Sequence, residues 1–170
     1  PLRPPGGALR GRFSPDGRLL GTASSFTGQI WDVATGGPVT PAYHFSHRIV
    51  EGPVFSPDAR TLAVPGWGSE GGEVALWDVP RGLVLARVPV LGMPSFSPEG
   101  RWLAIQESGR ISAWRGTNFQ SPVVFEQPAA ILAWTGPDEL LLQRLDNDEN
   151  GRLVRWNLAR ERRTYPLNDG

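Results

Sequence analysis

The side chains with the sharpest chemical potential lie in Asp146-Asn147-Asp148-Glu149-Asn150-Gly151, which has the Asp-x-Asp-x-Asn-Gly spacing of a calcium loop. In such a segment alternate side-chain oxygens, here those of Asp146, Asp148 and Asn150, converge on one hard cation before a glycine turn. The residue at the twelfth position is Asn157 and not a bidentate glutamate, and the flanks read as strands, so a solvated acidic turn is the plainer reading and no metal is favoured. His44 and His47 stand three apart in an extended region, which directs them to opposite faces with no third ligand nearby. Serines are plentiful, yet there is no Gly-x-Ser-x-Gly elbow, and the glycine-rich stretch 66–72 lacks the lysine and the following helix of a phosphate loop.

Composition narrows the chemistry further. All 17 basic residues are arginine, which removes Schiff-base and P-loop lysine mechanisms, and the absence of cysteine removes thiolate, iron-sulfur and disulfide chemistry. The expectation is therefore a protein that is not an enzyme and uses no cofactor. Seventeen acidic residues balance the basic ones to a net charge of zero, so no electrostatic footprint for nucleic acid or an anionic membrane stands out. No apolar run approaches the roughly 18 residues that span a bilayer. The missing cysteines fit a reducing, cytoplasmic compartment.

The elements that would position any site come from a repeat. Phe-Ser-Pro-Asp/Glu occurs at Phe13, Phe55 and Phe96, in steps of 42 and 41 residues, and a degenerate copy starts at Trp134. A tryptophan follows each by 18 or 22 residues, at Trp31, Trp77, Trp114 and Trp156. Each copy divides into four extended segments separated by Gly and Pro punctuation. The first ends on the repeat aromatic (8–13, 49–55, 91–96, 129–134), and a Ser-Pro-Asp-Gly type turn leads into the second (18–24, 60–64, 101–107, 139–145). The third carries the tryptophan (29–33, 73–79, 110–114, 152–157), and the fourth, placed at 38–45, 83–88, 122–126 and 162–167, has prolines suited to an outer edge. Such a sheet cannot bury both faces alone, so the copies must stack.

Phe-Ser-Pro-Asp-Gly-Arg-Leu-Leu at 13–20, followed by Trp31-Asp32 and then Trp77-Asp78 in register, resembles the WD-repeat β-propeller family over residues 8–167. The style is similar to bacterial WD repeats, which are found appended to Ser/Thr kinase-like and other signalling proteins. The resemblance implies an all-β fragment of four four-stranded antiparallel blades, part of a larger ring. Residues 1–5 would be the remnant of a preceding blade, with blades at 6–45, 46–88, 89–126 and 127–170. It also implies a hydrogen-bonded tetrad of Trp, Ser/Thr, His and Asp in each blade. Here only Ser24 and Trp31 match in the first, His47 alone is placed as the histidine, and Trp-Asp has become Trp114-Arg115 and Trp156-Asn157.

Recurrence assigns Phe13, Trp31, Phe55, Trp77, Phe96, Trp114, Trp134 and Trp156 to the repeat core. Phe26 and Trp67 differ, because they fall in turns between the second and third strands, and family geometry puts those turns on the face shared by His47 and Arg48. These four are the candidate partner-binding residues. The expected function is a non-catalytic protein-protein interaction scaffold within a longer signalling or regulatory protein, with an unknown protein partner, no nucleic acid and no membrane. Missing blades, or a second copy of the chain, would complete the ring. Two alternatives are a calcium- or ligand-binding sensor using loop 146–151 and a half-propeller that self-assembles.

Overall fold

The computed structural model describes residues 10–44, 48–49, 51–68, 71–116, 119, 121–145, 152–160 and 162–164. All regular structure among them is strand, and no helix among them is long and apolar enough to cross a membrane. The first sheet runs β1 (Arg10–Phe13), β2 (Leu19–Ala23), β3 (Thr27–Asp32) and β4 (Tyr43–His44) in spatial order. The second contains β5 (Arg48–Ile49) and β6 (Val54–Phe55), which both pair with β7 (Thr61–Gly68), then β8 (Gly71–Asp78) and β9 (Leu83–Val88). The third is β10 (Met93–Phe96), β11 (Trp102–Glu107), β12 (Arg110–Arg115) and β13 (Val123–Phe125). The fourth is β14 (Ala129–Gly136), β15 (Glu139–Arg144), β16 (Leu153–Asn157) and β17 (Arg162–Thr164). The chain divides into two compact units, Pro1–Pro94 and Ser95–Gly170.

The repeated tetrapeptide makes the same turn each time. The Ser14 hydroxyl donates to Asp16 Oδ1 at 2.6 Å and accepts from Leu19 N–H at 2.9 Å, and Ser56 does the same with Asp58 and Thr61. In the third copy Ser97 accepts from Trp102 N–H at 3.1 Å. The residue after the acid, Gly17, Ala59 or Gly100, takes a left-handed φ of 71°, 57° or 68°. All three serines are buried, so each hydroxyl replaces water for backbone groups that the reversal would otherwise strand. A second bond ties the end of each third strand to the turn region: Val33 to Arg18, Val79 to Arg60, Gly116 to Arg101 and Leu158 to Asp138, from N–H to carbonyl at 2.7–2.9 Å. The fourth copy keeps it although its tetrapeptide has decayed.

The Asp of Trp-Asp also has a local task. Asp32 Oδ1 accepts from Thr35 N–H at 2.7 Å, Asp78 Oδ1 from Arg81 N–H at 3.0 Å, and Asn157 Oδ1 from Arg160 N–H at 3.0 Å. Asn serves as well as Asp because only an acceptor oxygen is needed. Arg115 offers none, and there Gly116 turns the chain with φ 62°.

Within the first unit, Ala23 and Ile30 of one sheet pack with Phe55, Leu62, Val64 and Trp77 of the next. Gly21 makes this possible: a Cβ there would stand 3.2 Å from the Phe55 ring. Within the second unit, Ala104, Ile111 and Ala113 pack with Leu140, Leu142 and Trp156, and the Phe125 ring lies 5.3 Å from that of Trp156.

Several boundaries differ from expectation. The second sheet's first strand, expected unbroken over 49–55, is split into β5 and β6. Ile49 pairs with Gly66 and Val54 with Ala63, so this side carries two more residues than the opposing Val64 and Pro65, where proline has no N–H for the ladder. β7, expected over 60–64, continues to Gly68, because Gly66, Trp67 and Gly68 pair with Glu73, Gly72 and Gly71 through backbone groups alone. β4 keeps only two residues of the expected 38–45, with Pro38 contributing an isolated bridge to Trp31.

Candidate interaction site

The residues expected to form the repeat core divide by environment. Trp31, Phe55, Trp77, Trp114 and Trp156 are buried, whereas Phe96 and Trp134 are half-buried. Phe13 is corrected: it is 58% exposed. Phe55 is covered because the first sheet lies against its ring. Trp134 donates its indole N–H to Ser95 Oγ at 2.9 Å and packs on the second unit's core.

The tetrad expectation also changes. Trp31 Nε1 donates at 2.8 Å to Thr22 Oγ1 and not to Ser24, while the Thr22 hydroxyl in turn donates to the Gln29 carbonyl at 3.1 Å. Ser24 is engaged with Thr27 across the hairpin end. Register explains the choice: Leu20 faces Trp31, and the acceptor is two residues along on the same face. The corresponding residues are Val64, Ile105 and Leu142, none of which can accept a hydrogen bond. Trp114 Nε1 accordingly has no partner among the described residues.

At the hairpin between β2 and β3, Ser24 N–H bonds the Thr27 carbonyl at 2.8 Å, which leaves Phe26 at the tip, 54% exposed. Trp67, expected in a turn, stands instead near the end of β7, in register with Gly72 on one side and Arg48 of β5 on the other. The backbone therefore brings Arg48 and Trp67 together at the end of the second sheet's hairpin, the position matching that of Phe26 in the first. His47 and the loop residues Asp146, Asp148 and Asn150 lie outside the described residues. Asn157, the twelfth position of the calcium-type spacing, commits its Oδ1 to its own turn. No group of three or more His, Cys, Asp or Glu among the described residues could hold a metal ion.

At the opposite end of the first sheet, Asp16, Arg18, Asp32, Val33 and Ala34 line a depression of about 410 Å³. Both carboxyls are held below the usual aspartate value of 3.8, Asp16 first by the Ser14 hydroxyl and Asp32 first by the Thr35 N–H. They are turn anchors, already committed to neighbouring donors.

In the second unit three residues that the sequence did not single out couple neighbouring sheets. Trp102 Nε1 donates to Asp138 Oδ1 at 2.7 Å, with Arg101 3.9 Å from Oδ2. Gln106 Oε1 accepts from Ile131 N–H at 2.8 Å, on the side of the edge strand β14 turned away from β15, as the Gly109 carbonyl does from Ala129 N–H. The signal for Asp138 was its place in the degenerate Trp-Thr-Gly-Pro-Asp copy; Gln106 and Thr22 carry none without the register.

Among solved structures, 94% of this chain matches a chain from the crystal structure of a mitotic checkpoint complex, with TM-score 0.65 and 16% identity over 50% of that chain. A crystal structure of a eukaryotic initiation factor matches with TM-score 0.64 and 13% identity, over 42% of its chain. The fold is that of a β-propeller. The four sheets are its blades. A third propeller match, the dihydro-heme d1 dehydrogenase NirN in complex with DHE, has TM-score 0.67 and 16% identity, over 37% of its chain. The chain thus spans half or less of each of these propellers. No protein-family model and no curated protein matches the sequence.

Proposed function

We propose that this chain is a non-catalytic interaction platform of the WD-repeat kind, which displays a partner-binding surface on the hairpin ends between the second and third strands of its blades. The observation that carries the reading is Phe26, a large aromatic held 54% exposed at a hairpin tip by backbone bonds that fix the loop and not the ring. Arg48 and Trp67, the residue types that dominate binding hot spots, meet in register at the matching end of the next blade. The propeller fold by itself does not choose a function, since the similar structures include both a checkpoint complex and a dehydrogenase. What favours display over catalysis is that the carboxylates of the described depression are engaged in turns, and that the chain has neither lysine nor cysteine.

The test is quantitative proximity crosslinking in the native host, comparing the natural chain with Phe26→Ser and Trp67→Ala, and with Leu83→Ser as an exposed control on β9. A partner lost from both hairpin variants and retained by the control supports the reading. An interaction profile that neither variant alters removes it.

A further inference from the structure

A strand at the end of a sheet presents a row of peptide N–H and C=O groups, and proteins blunt such edges by shortness, proline or charge. Three of the four fourth strands are blunted in this way among the described residues. β4 has two residues and follows Pro38 and Pro41, β13 has three between Pro122 and Glu126, and β17 has three, of which two are Arg162 and Arg163. β9 differs from them. It runs for six residues, Leu83-Val84-Leu85-Ala86-Arg87-Val88, at the end of its sheet and without proline. Its one charge, on Arg87, is engaged by Glu73 of β8 at 2.5 Å. Val84 packs against the first unit's core, which turns Leu83 to the other face, and Leu83 and Leu85 are 60% and 42% exposed.

We propose that the outer edge of β9 is a second interaction site, which takes up an extended apolar segment of a partner protein as an added strand. The edge's row of peptide groups is matched by another run of peptide groups, which makes the occupant extended backbone. Leu83 and Leu85 then favour apolar side chains on the added strand, since with Arg87 held by Glu73 the edge offers a charged segment little in return. A bulge decides against a second copy of β9. Trp77 faces Val84 and Leu76 faces Ala86, so Leu85 is the extra residue and the edge twists there. Two copies paired edge to edge would have to match two bulges, whereas a short foreign strand bends with one. The site is separate from the hairpin ends. Leu83 pairs with Asp78, at the end of β8 remote from the Gly68–Gly71 pair beside Trp67, so partners at the two places can be bound together.

The test selects short peptides with Val, Ile or Leu at alternate positions from a phage-displayed library against the 170-residue chain, and uses the selected peptide as the probe. Bound probe is expected to protect amides of β9 from hydrogen exchange. Methylating alternate peptide nitrogens of the probe is expected to abolish binding in one phase and spare it in the other, because an added strand turns every second N–H toward its neighbour. Leu83→Lys with Leu85→Lys is expected to weaken binding about tenfold or more, and Phe26→Ser to leave it unchanged. Circular dichroism checks folding, and Leu83→Lys alone serves where the double variant does not fold. The proposal is overturned if no peptide is selected, if the protection falls away from β9, if both methylated phases bind alike, or if the folded lysine variant binds as the native chain does. Protection of β9 that rises with the concentration of the chain alone would make a second copy the occupant, and overturns it as well.

Discussion

At the level of single residues the first blade holds a hydrogen bond that Val64, Ile105 and Leu142 cannot offer at the matching positions. Thr22 accepts from the buried Trp31 indole, so Thr22→Val removes the acceptor, keeps the shape and strands an N–H. The expected loss is about 1–3 kcal/mol, read from the urea midpoint, while Ser24→Ala, which leaves the indole bond intact, should cost less. Asp16 and Asp32 each contribute a pH dependence. Their folded values are depressed below 3.8, so the folded state binds fewer protons than the unfolded one as the pH falls. Their contribution is complete above 3.8 and is lost as the pH drops through the folded values. Carboxyl carbon titration by NMR should place both midpoints below 3.8, and Ser14→Ala should raise that of Asp16 alone. The repeat spacing made Trp31, Trp77, Trp114 and Trp156 legible as core, whereas Phe13 recurs at the same spacing and is exposed. The partner of Trp31 was not legible: Ser24 and Thr22 are both hydroxyls on β2 or at its end, and only the register of β2 on β3 decides between them.

Turn chemistry governs the elements. Ser108 and Gly109 link β11 to β12 as a two-residue hairpin loop with φ of 47° and 86°, the left-handed pair that a type I′ turn requires. Serine is strained in this conformation, whereas asparagine adopts it readily. Ser108→Asn should therefore raise stability by about 0.5–1 kcal/mol, visible as a higher thermal midpoint, with no change in the fold. The Ser-Pro-Asp-Gly turns and the tryptophan strands could be read from the chain, since proline, aspartate and glycine each fix a local backbone state. The split of β5 from β6 could not, because it depends on Pro65 lying opposite that strand after pairing. Likewise the glycines around Trp67 looked like a loop, yet they serve a ladder that needs only peptide groups.

Blades are coupled by a few polar contacts set into apolar interfaces, and this is the scale at which the second unit's stability is decided. Asp138 accepts from Trp102 across an interface between blades and lies beside Arg101. Asp138→Ala leaves a largely buried indole N–H unanswered and should cost about 1–3 kcal/mol, detected as lost amide-exchange protection in β11 and β15 together. Asp138→Asn, which keeps an acceptor oxygen, should recover part of it. The propeller could be inferred from four copies of one pattern. The exposure of Phe13 could not, because repetition describes what blades share and not what their neighbours are.

The serine turns have a consequence for the order of events in folding. Ser14, Ser56 and Ser97 each close a loop on a residue only five positions ahead, so these are among the cheapest contacts in the chain to form. Three equivalent hairpins can then nucleate independently, with the pairing of sheet on sheet left to the slower phase. Stopped-flow refolding distinguishes this from a single starting point. Ser56→Ala should speed unfolding while leaving the main refolding rate nearly unchanged, since two other turns remain to begin the process.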